Sequence, residues 1–276
     1  MIVVASLRDR VLNTFRNPIK DKMIYFHIPK CGGSAYRQAI RSCYLTMDLR
    51  KFREIAELDP AASDSVIKLR KKSDLPPHIT DESSIFEFRE NLLLYYMSSS
   101  RVRFISGHFG FSNTIYEASR GNFAFVTVLR HPVERWISAY FYNRYKSSNH
   151  RKIDIDIEAY LDSELGRRQG REYAYFLGGV RAGIENEDAE LIDRAKENLH
   201  KFDVIGFLEH PQHFIDRFEG RFGIRLRLNT TNESPVTKSS RDSILTDEIK
   251  AKIQKICTPD LEVYEYAVSN FLVGVK

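Results

Sequence analysis

The chain has 276 residues, 42% hydrophobic and 29% charged, which is enough apolar material for a substantial core under a solvated surface. Its 42 Lys and Arg against 37 Asp and Glu leave a net charge of +5; this suits an anionic ligand or acceptor but is not the dense basic stripe of a nucleic-acid binder. Cys31, Cys43 and Cys257 have no metal-ligand spacing and fit a reducing compartment. No run approaches the ~20 apolar residues of a membrane span, and Met1–Leu7 is too short for a signal h-region, so the expectation is a soluble cytoplasmic protein.

Met1–Lys22 is a charged lead-in with a short helix expected over Leu7–Phe15. Met23–Ile28 is short, apolar and aromatic, the pattern of a central strand. Pro29 ends its ladder for want of an N–H. Gly32 and Gly33 allow positive φ and close approach of a ligand to the backbone. Ser34 is placed at the N-cap of a helix carrying Ala35, Gln38, Ala39 and Ile40. Residues 46–100 hold the basic run Lys68–Lys72 and the breaker Pro76-Pro77, and are expected to form helical excursions outside the sheet, with Ser84–Met97 a helix. One domain spanning residues 1–276, with 46–100 as a helical insertion, accounts for the length.

Val102–Ile105 is a short strand leading into Gly107-His108. Asn122–Leu129 is β-branched and aromatic, as a strand buried on both faces should be. It ends in Arg130-His131, and Pro132 opens the helix continued by Val133–Tyr145. Asp156–Leu165 and Asp188–Leu199 read as helices on either side of a glycine-rich stretch. Phe202–Phe207 reads as a strand, and Glu209–Phe222 as a helix closed by Gly223. Arg227–Asp242 reads as a loop, and Thr246–Ile256 and Asp260–Phe271 as closing helices. Strands alternating with helices define an α/β fold in three layers, αβα, around a mainly parallel sheet. Such sheets bind ligands beyond the carboxyl ends of their strands, where the Lys30 loop and Arg130 both fall.

A strand, a glycine turn and a helix point backbone N–H groups and the positive end of a helix dipole at one spot, which suits a phosphate or sulfate. Lys30 adds a charge and Ser34 a hydroxyl. A Walker A loop carries its Lys after the last Gly, whereas here Lys30 precedes the pair. Arg130 can fork onto a phosphate. Ser138 lies roughly 12 Å further along the following helix and can reach the same group if that helix folds back. The structural alternative pairs Arg130 with Glu134.

Together these residues resemble a family. Phe26 to Ser34 is similar to the 5′-phosphosulfate loop of sulfotransferases that use 3′-phosphoadenosine 5′-phosphosulfate (PAPS), and the P-loop-like turn fits that loop. Leu129 to Tyr140 is similar to their 3′-phosphate motif, with Arg130 and Ser138 at the family's spacing. Gly107-His108 matches a Gly-His segment in the carbohydrate branch that includes the heparan sulfate 2-O-sulfotransferases. The resemblance implies metal-free, in-line transfer of a sulfuryl group from PAPS to a hydroxyl of a carbohydrate or glycoconjugate, leaving adenosine 3′,5′-bisphosphate. It implies that Lys30 and His108 are catalytic, with His108 as general base. Lys30, Cys31, Gly32, Gly33, Ser34 and Ala35 would hold the 5′ phosphate, Arg130 and Ser138 the 3′ phosphate, and Thr230 or Thr231 would close over the nucleotide. Cys31 stands where the family usually has Thr or Ser. Arg144, Lys146, Arg151, Lys152, Arg167, Arg168 and Arg171 form either a rim for an anionic sugar or, preferably, a solvated surface. Asn229 and Asn232 match the N-glycosylation pattern. A P-loop kinase or nucleoside triphosphatase, and a binding module without turnover, are the competing readings. The Lys-before-Gly order opposes the first, and the retained Lys30, His108 and Arg130 oppose the second.

Overall fold

In the computed structural model, described for residues 19–45, 54–71, 82–179, 188–229 and 236–272, five parallel strands form one sheet in the order β2-β3-β1-β4-β5. The strands are β1 (Lys22–Phe26), β2 (Ile55–Glu57), β3 (Phe104–Gly107), β4 (Phe123–Leu129) and β5 (Val204–Phe207). β4 is buried at every position but its first, as its unbroken apolar run dictates.

Alternate side chains of the strands enter two cores. Ile24 and Phe26 of β1, Phe125 and Leu129 of β4, and Ile205 and Phe207 of β5 face one side. There they meet the helices Glu82–Ser98, Glu172–Gly178, Asp188–Leu199 and Thr258–Phe271. Met23, Tyr25, Val126, Val128 and Val204 face the other, against Tyr36, Ala39 and Ile40 of Gly33–Ser42 and Phe214 and Phe218 of Pro211–Phe222. This is the three-layer αβα arrangement expected. A third core forms where Trp136, Ile137, Tyr140 and Phe141 of the helix Pro132–Tyr145 pack on Ile157, Tyr160, Ile249 and Ile253.

The structure corrects several sequence expectations. Residues 46–100 are not wholly outside the sheet, because β2 pairs with β3 and forms an edge; three residues are too few to carry a periodic signal. The stretch read as a loop over Arg227–Asp242 ends in a helix, Lys238–Ile244, whose Thr237 N-cap accepts from the Ser240 N–H at 3.3 Å. The glycine-rich stretch contains the helix Glu172–Gly178. Ser34 is not the N-cap: Gly32 holds that position at φ 72°, and the helix starts at Gly33. The expected helix over Leu7–Phe15 lies outside the described residues.

Candidate active site

The site forms where three adjacent strands end. β1 sits between β3 and β4, with Phe26 opposite Gly107 on one side and Thr127 on the other. The His27 N–H donates to the Gly107 carbonyl at 2.9 Å. This extends the pairing by one rung and brings His108 alongside His27, their rings 4.5 Å apart. Parallel pairing therefore gathers the Lys30 loop, His108 and Arg130 from distant parts of the sequence.

The Lys30 loop is shaped by two left-handed residues, Lys30 at φ 67° and Gly32 at φ 72°. For lysine this conformation costs about 1–2 kcal/mol, a strain of the sort that collects at ligand sites. Gly33 is required for space, since a Cβ there would lie 1.7 Å from Nε2 of His27. Among the described residues, the N–H groups of Gly32, Gly33 and Ser34 have no partner, whereas that of Ala35 donates to the Gly32 carbonyl at 3.1 Å. Ala35 therefore spends its donor within the turn, and the three residues before it are left to receive an anion at the helix N-terminus.

Lys30 Nζ lies 3.5 Å from the centre of the Tyr142 ring, and no carboxylate among the described residues is within 4.0 Å of it. Burial, then the cations Arg130 and Lys146, lower its pKa to about 8. Arg130 donates through Nη1 to the Lys30 carbonyl at 3.3 Å. Its ion pair with Glu134 exists but is long, 3.8 Å, with Glu134 half-exposed, so Arg130 is shared between the loop and its own helix. Ser138 is half-buried, and its hydroxyl has no hydrogen-bond partner among the described residues. A cluster of cations with so little carboxylate compensation, beside unpaired N–H groups, fits a multiply charged phosphate ligand.

His108 is bound to a backbone carbonyl, with Nδ1 2.5 Å from the oxygen of His27. That bond uses the protonated nitrogen and leaves Nε2 as an acceptor. Burial, the adjacent His27, and Arg89 and Arg151 hold its pKa well below the usual imidazole value, so the ring is neutral near pH 7. Arg89 donates to the His108 carbonyl at 3.2 Å and pairs with the buried Asp64 at 3.3 Å. Asp64 also takes His150 at 2.9 Å and Arg151 at 3.1 Å. His27 is more weakly basic than free imidazole, its pKa lowered to about 4 by burial first and then by Arg37 and Lys30.

Cys31 is buried and its Sγ faces the Tyr173 hydroxyl at 3.4 Å. Burial pushes its pKa up to about 11, the reverse of an activated thiol. The His131 N–H donates to Glu209 at 2.8 Å, and Tyr264 donates to the same carboxylate at 3.1 Å. Glu209, beyond β5, thus braces the turn after Arg130. The basic residues considered for an acceptor rim are dispersed among local partners. Arg151 is on Asp64, Arg171 on Asp188 at 2.8 Å, Arg144 on the Ile153 carbonyl, and Lys146 on Asn143 at 2.8 Å and over Tyr142. Thr230 and Thr231 lie outside the described residues. Among the described residues no group of three or more His, Cys, Asp or Glu could hold a metal ion, and no helix is long and apolar enough to cross a membrane.

Sequence reasoning missed Tyr142, Tyr173, Glu209 and Asp64. Tyr142 carried a signal, one turn beyond Ser138 on the same helix; the others reach the site only through tertiary folding. A cavity of about 940 Å³ also adjoins the helix after Arg130, lined in part by His131, Glu134, Ile137, Arg241 and Leu245.

The fold and the site together define an α/β protein with an anion-binding loop at the centre of a parallel sheet. Residues 13–267 match the sulfotransferase family, and the chain belongs to that family. It is 26% identical over 226 residues to heparan sulfate 2-O-sulfotransferase hst-2 of Caenorhabditis elegans, covering 73% of this chain and 62% of that protein. The chain thus spans less than two thirds of that relative's length. Among solved structures it is similar to mouse sulfotransferase SULT7A1 complexed with PAP, with a TM-score of 0.38 and 14% identity, covering 93% of this chain and 71% of the other.

Proposed function

We propose that this chain transfers a sulfuryl group from PAPS to a hydroxyl of a carbohydrate or glycoconjugate, with His108 as general base. The observation that carries this reading is the meeting of two cationic groups at neighbouring strand ends, Arg130 on the carbonyl of Lys30 at 3.3 Å. PAPS supplies an already activated sulfuryl group and departs as adenosine 3′,5′-bisphosphate. The donors of Gly32, Gly33 and Ser34 would hold its 5′ phosphate, with Cys31 contributing backbone only. Arg130 and Ser138 would hold the 3′ phosphate.

Lys30 lies in the loop itself and, with its pKa lowered to about 8, is mostly charged at pH 7. It offsets charge developing on the departing phosphate oxygen. His108 takes the proton of the acceptor hydroxyl at Nε2, because Nδ1 is already committed to His27. A neutral imidazole with one free lone pair is the required starting state. The hst-2 relative is named for heparan sulfate; here Lys146, close enough to lower the pKa of Lys30, supports an anionic carbohydrate as acceptor.

Calorimetric titration with adenosine 3′,5′-bisphosphate and with ATP, each with and without Mg²⁺, tests the reading. Metal-independent preference for the bisphosphate is expected, followed by sulfate transfer to a member of a glycan panel. Mg²⁺-dependent preference for ATP would overturn it in favour of a kinase or triphosphatase. Bisphosphate binding with no transfer to any glycan would reduce the chain to a binding module.

A further inference from the structure

We infer that Tyr173 is a positioning residue that locks the two phosphate-binding segments to each other, and that Cys31 is turned inward to complete this lock. The inference rests on the nucleotide reading above and adds a residue from outside both motifs.

The Tyr173 hydroxyl lies 2.8 Å from the Arg130 nitrogen, 2.5 Å from the Arg130 carbonyl oxygen and 3.4 Å from Cys31 Sγ. A phenol has one proton and two lone pairs. The proton goes to the Arg130 carbonyl, one lone pair accepts the Arg130 N–H, and the other faces the Cys31 thiol, which the Tyr173 oxygen at 3.4 Å shares with the Pro29 carbonyl at 3.8 Å. Every valence is used.

The place matters as much as the count. The last pairing bond between β4 and the β5 segment is Leu208 N–H to the Leu129 carbonyl at 2.8 Å. Arg130 comes next, where the sheet has run out and its peptide groups would otherwise be left unpaired. Tyr173 supplies the missing rung from its side chain. It thereby fixes the backbone that aims the Arg130 guanidinium at the Lys30 carbonyl, while its third bond holds the loop at Cys31.

Tyr173 is itself held firmly. It is fully buried, and Asp260 accepts the N–H groups of Tyr173 at 2.8 Å and Ala174 at 3.2 Å. Asp260 also pairs with the buried Arg135 at 3.4 Å, whose guanidinium lies 5.6 Å from the Tyr173 ring centre. A Thr or Ser at position 31 would offer its hydroxyl to the ligand; the cysteine offers its thiol to Tyr173 instead.

The test is Tyr173→Phe, which keeps the ring and removes the hydroxyl. The readout is the ratio of affinities for adenosine 3′,5′-bisphosphate and adenosine 5′-phosphate, taken by calorimetry well below the unfolding midpoint. This ratio isolates the grip on the 3′ phosphate. It is expected to fall roughly tenfold. A lowered midpoint with an unchanged ratio would mean a purely structural role and would overturn the inference. If Tyr173→Phe does not fold, Cys31→Ala removes one of the three bonds. Bisphosphate affinity is then expected to drop roughly threefold; no drop in Cys31→Ala overturns the inference. Wild-type protein that does not prefer the bisphosphate would instead refute the nucleotide reading, and this inference with it.

Discussion

The pKa of Lys30 makes nucleotide binding a proton-linked event. In the free protein this lysine titrates near 8, because it is buried and because Arg130 and Lys146 repel its charge. A bound phosphate favours the charged form, so binding draws a proton onto the protein wherever Lys30 is partly neutral. The sign follows directly: affinity is full below pH 8 and is lost as pH rises through it. Between pH 7 and pH 9 the charged fraction falls from about nine-tenths to about one-tenth, so affinity for adenosine 3′,5′-bisphosphate should weaken about tenfold, or about 1.4 kcal/mol. The ligand phosphates lose their last proton near pH 6 and add little in that range. Calorimetry at pH 8 in two buffers of unlike ionisation enthalpy should register uptake of about half a proton per nucleotide. Lys30→Arg stays charged and should remove most of the dependence, leaving the share of Lys146, whose pKa burial and then Arg151 also lower to about 8. Lys146→Gln removes one of the repelling charges and should move the break to higher pH. A flat affinity from pH 7 to pH 9, or undiminished proton uptake in Lys30→Gln, would refute the reasoning.

His108→Ala should cut turnover roughly 10²–10⁴-fold and leave bisphosphate affinity nearly intact, as measured by initial rates beside calorimetry; wild-type rates would remove His108 from the mechanism. Gly33→Ala places a methyl 1.7 Å from His27 Nε2 and should cost about 1–3 kcal/mol in urea unfolding, with partial recovery when His27 is also made Ala. An unchanged stability in the single variant would contradict the placement of the ring over the loop. Because the folded pKa of His27 is about 4 against an ordinary 6.5, its share of stability is present above pH 6.5 and lost as pH falls toward 4. That loss is at most about 3 kcal/mol. Unfolding followed from pH 7 to pH 4.5 should show a shallower decline in His27→Gln; parallel curves would rule the residue out.

What could be read from the sequence was whatever is local. Tyr25 to Gly33 and Val128 to Val133 each write out a strand, a stop and a helix start within a few residues, so both turns proposed to bind phosphate were legible. Ser34 misled because it is a good N-cap residue, but the left-handed backbone at Gly32 lets the helix begin two residues earlier than that rule expects. β2 escaped because three edge residues have no period. Tyr173 is separated from Cys31 by 142 positions and from Arg130 by 43, and no spacing rule couples such residues. The same holds for Glu209 against His131 and for Asp64 against Arg151. The rim of cations was ambiguous on composition alone; the structure divides it by giving Arg151 and Arg171 carboxylate partners.

The adjacency of β3, β1 and β4 decides which parts of this chain are free to change. A slip of one residue between β1 and β4 would carry Arg130 about 3.3 Å along the sheet and turn it to the opposite face, so the alignment of the three strands tolerates no drift. The stretch between Ser42 and Phe104 is held at fewer points, where β2 pairs with β3 and where Arg89, anchored on Asp64, donates to the His108 carbonyl. An exchange of that stretch would leave His108 where it stands only if it kept β2, Asp64 and Arg89.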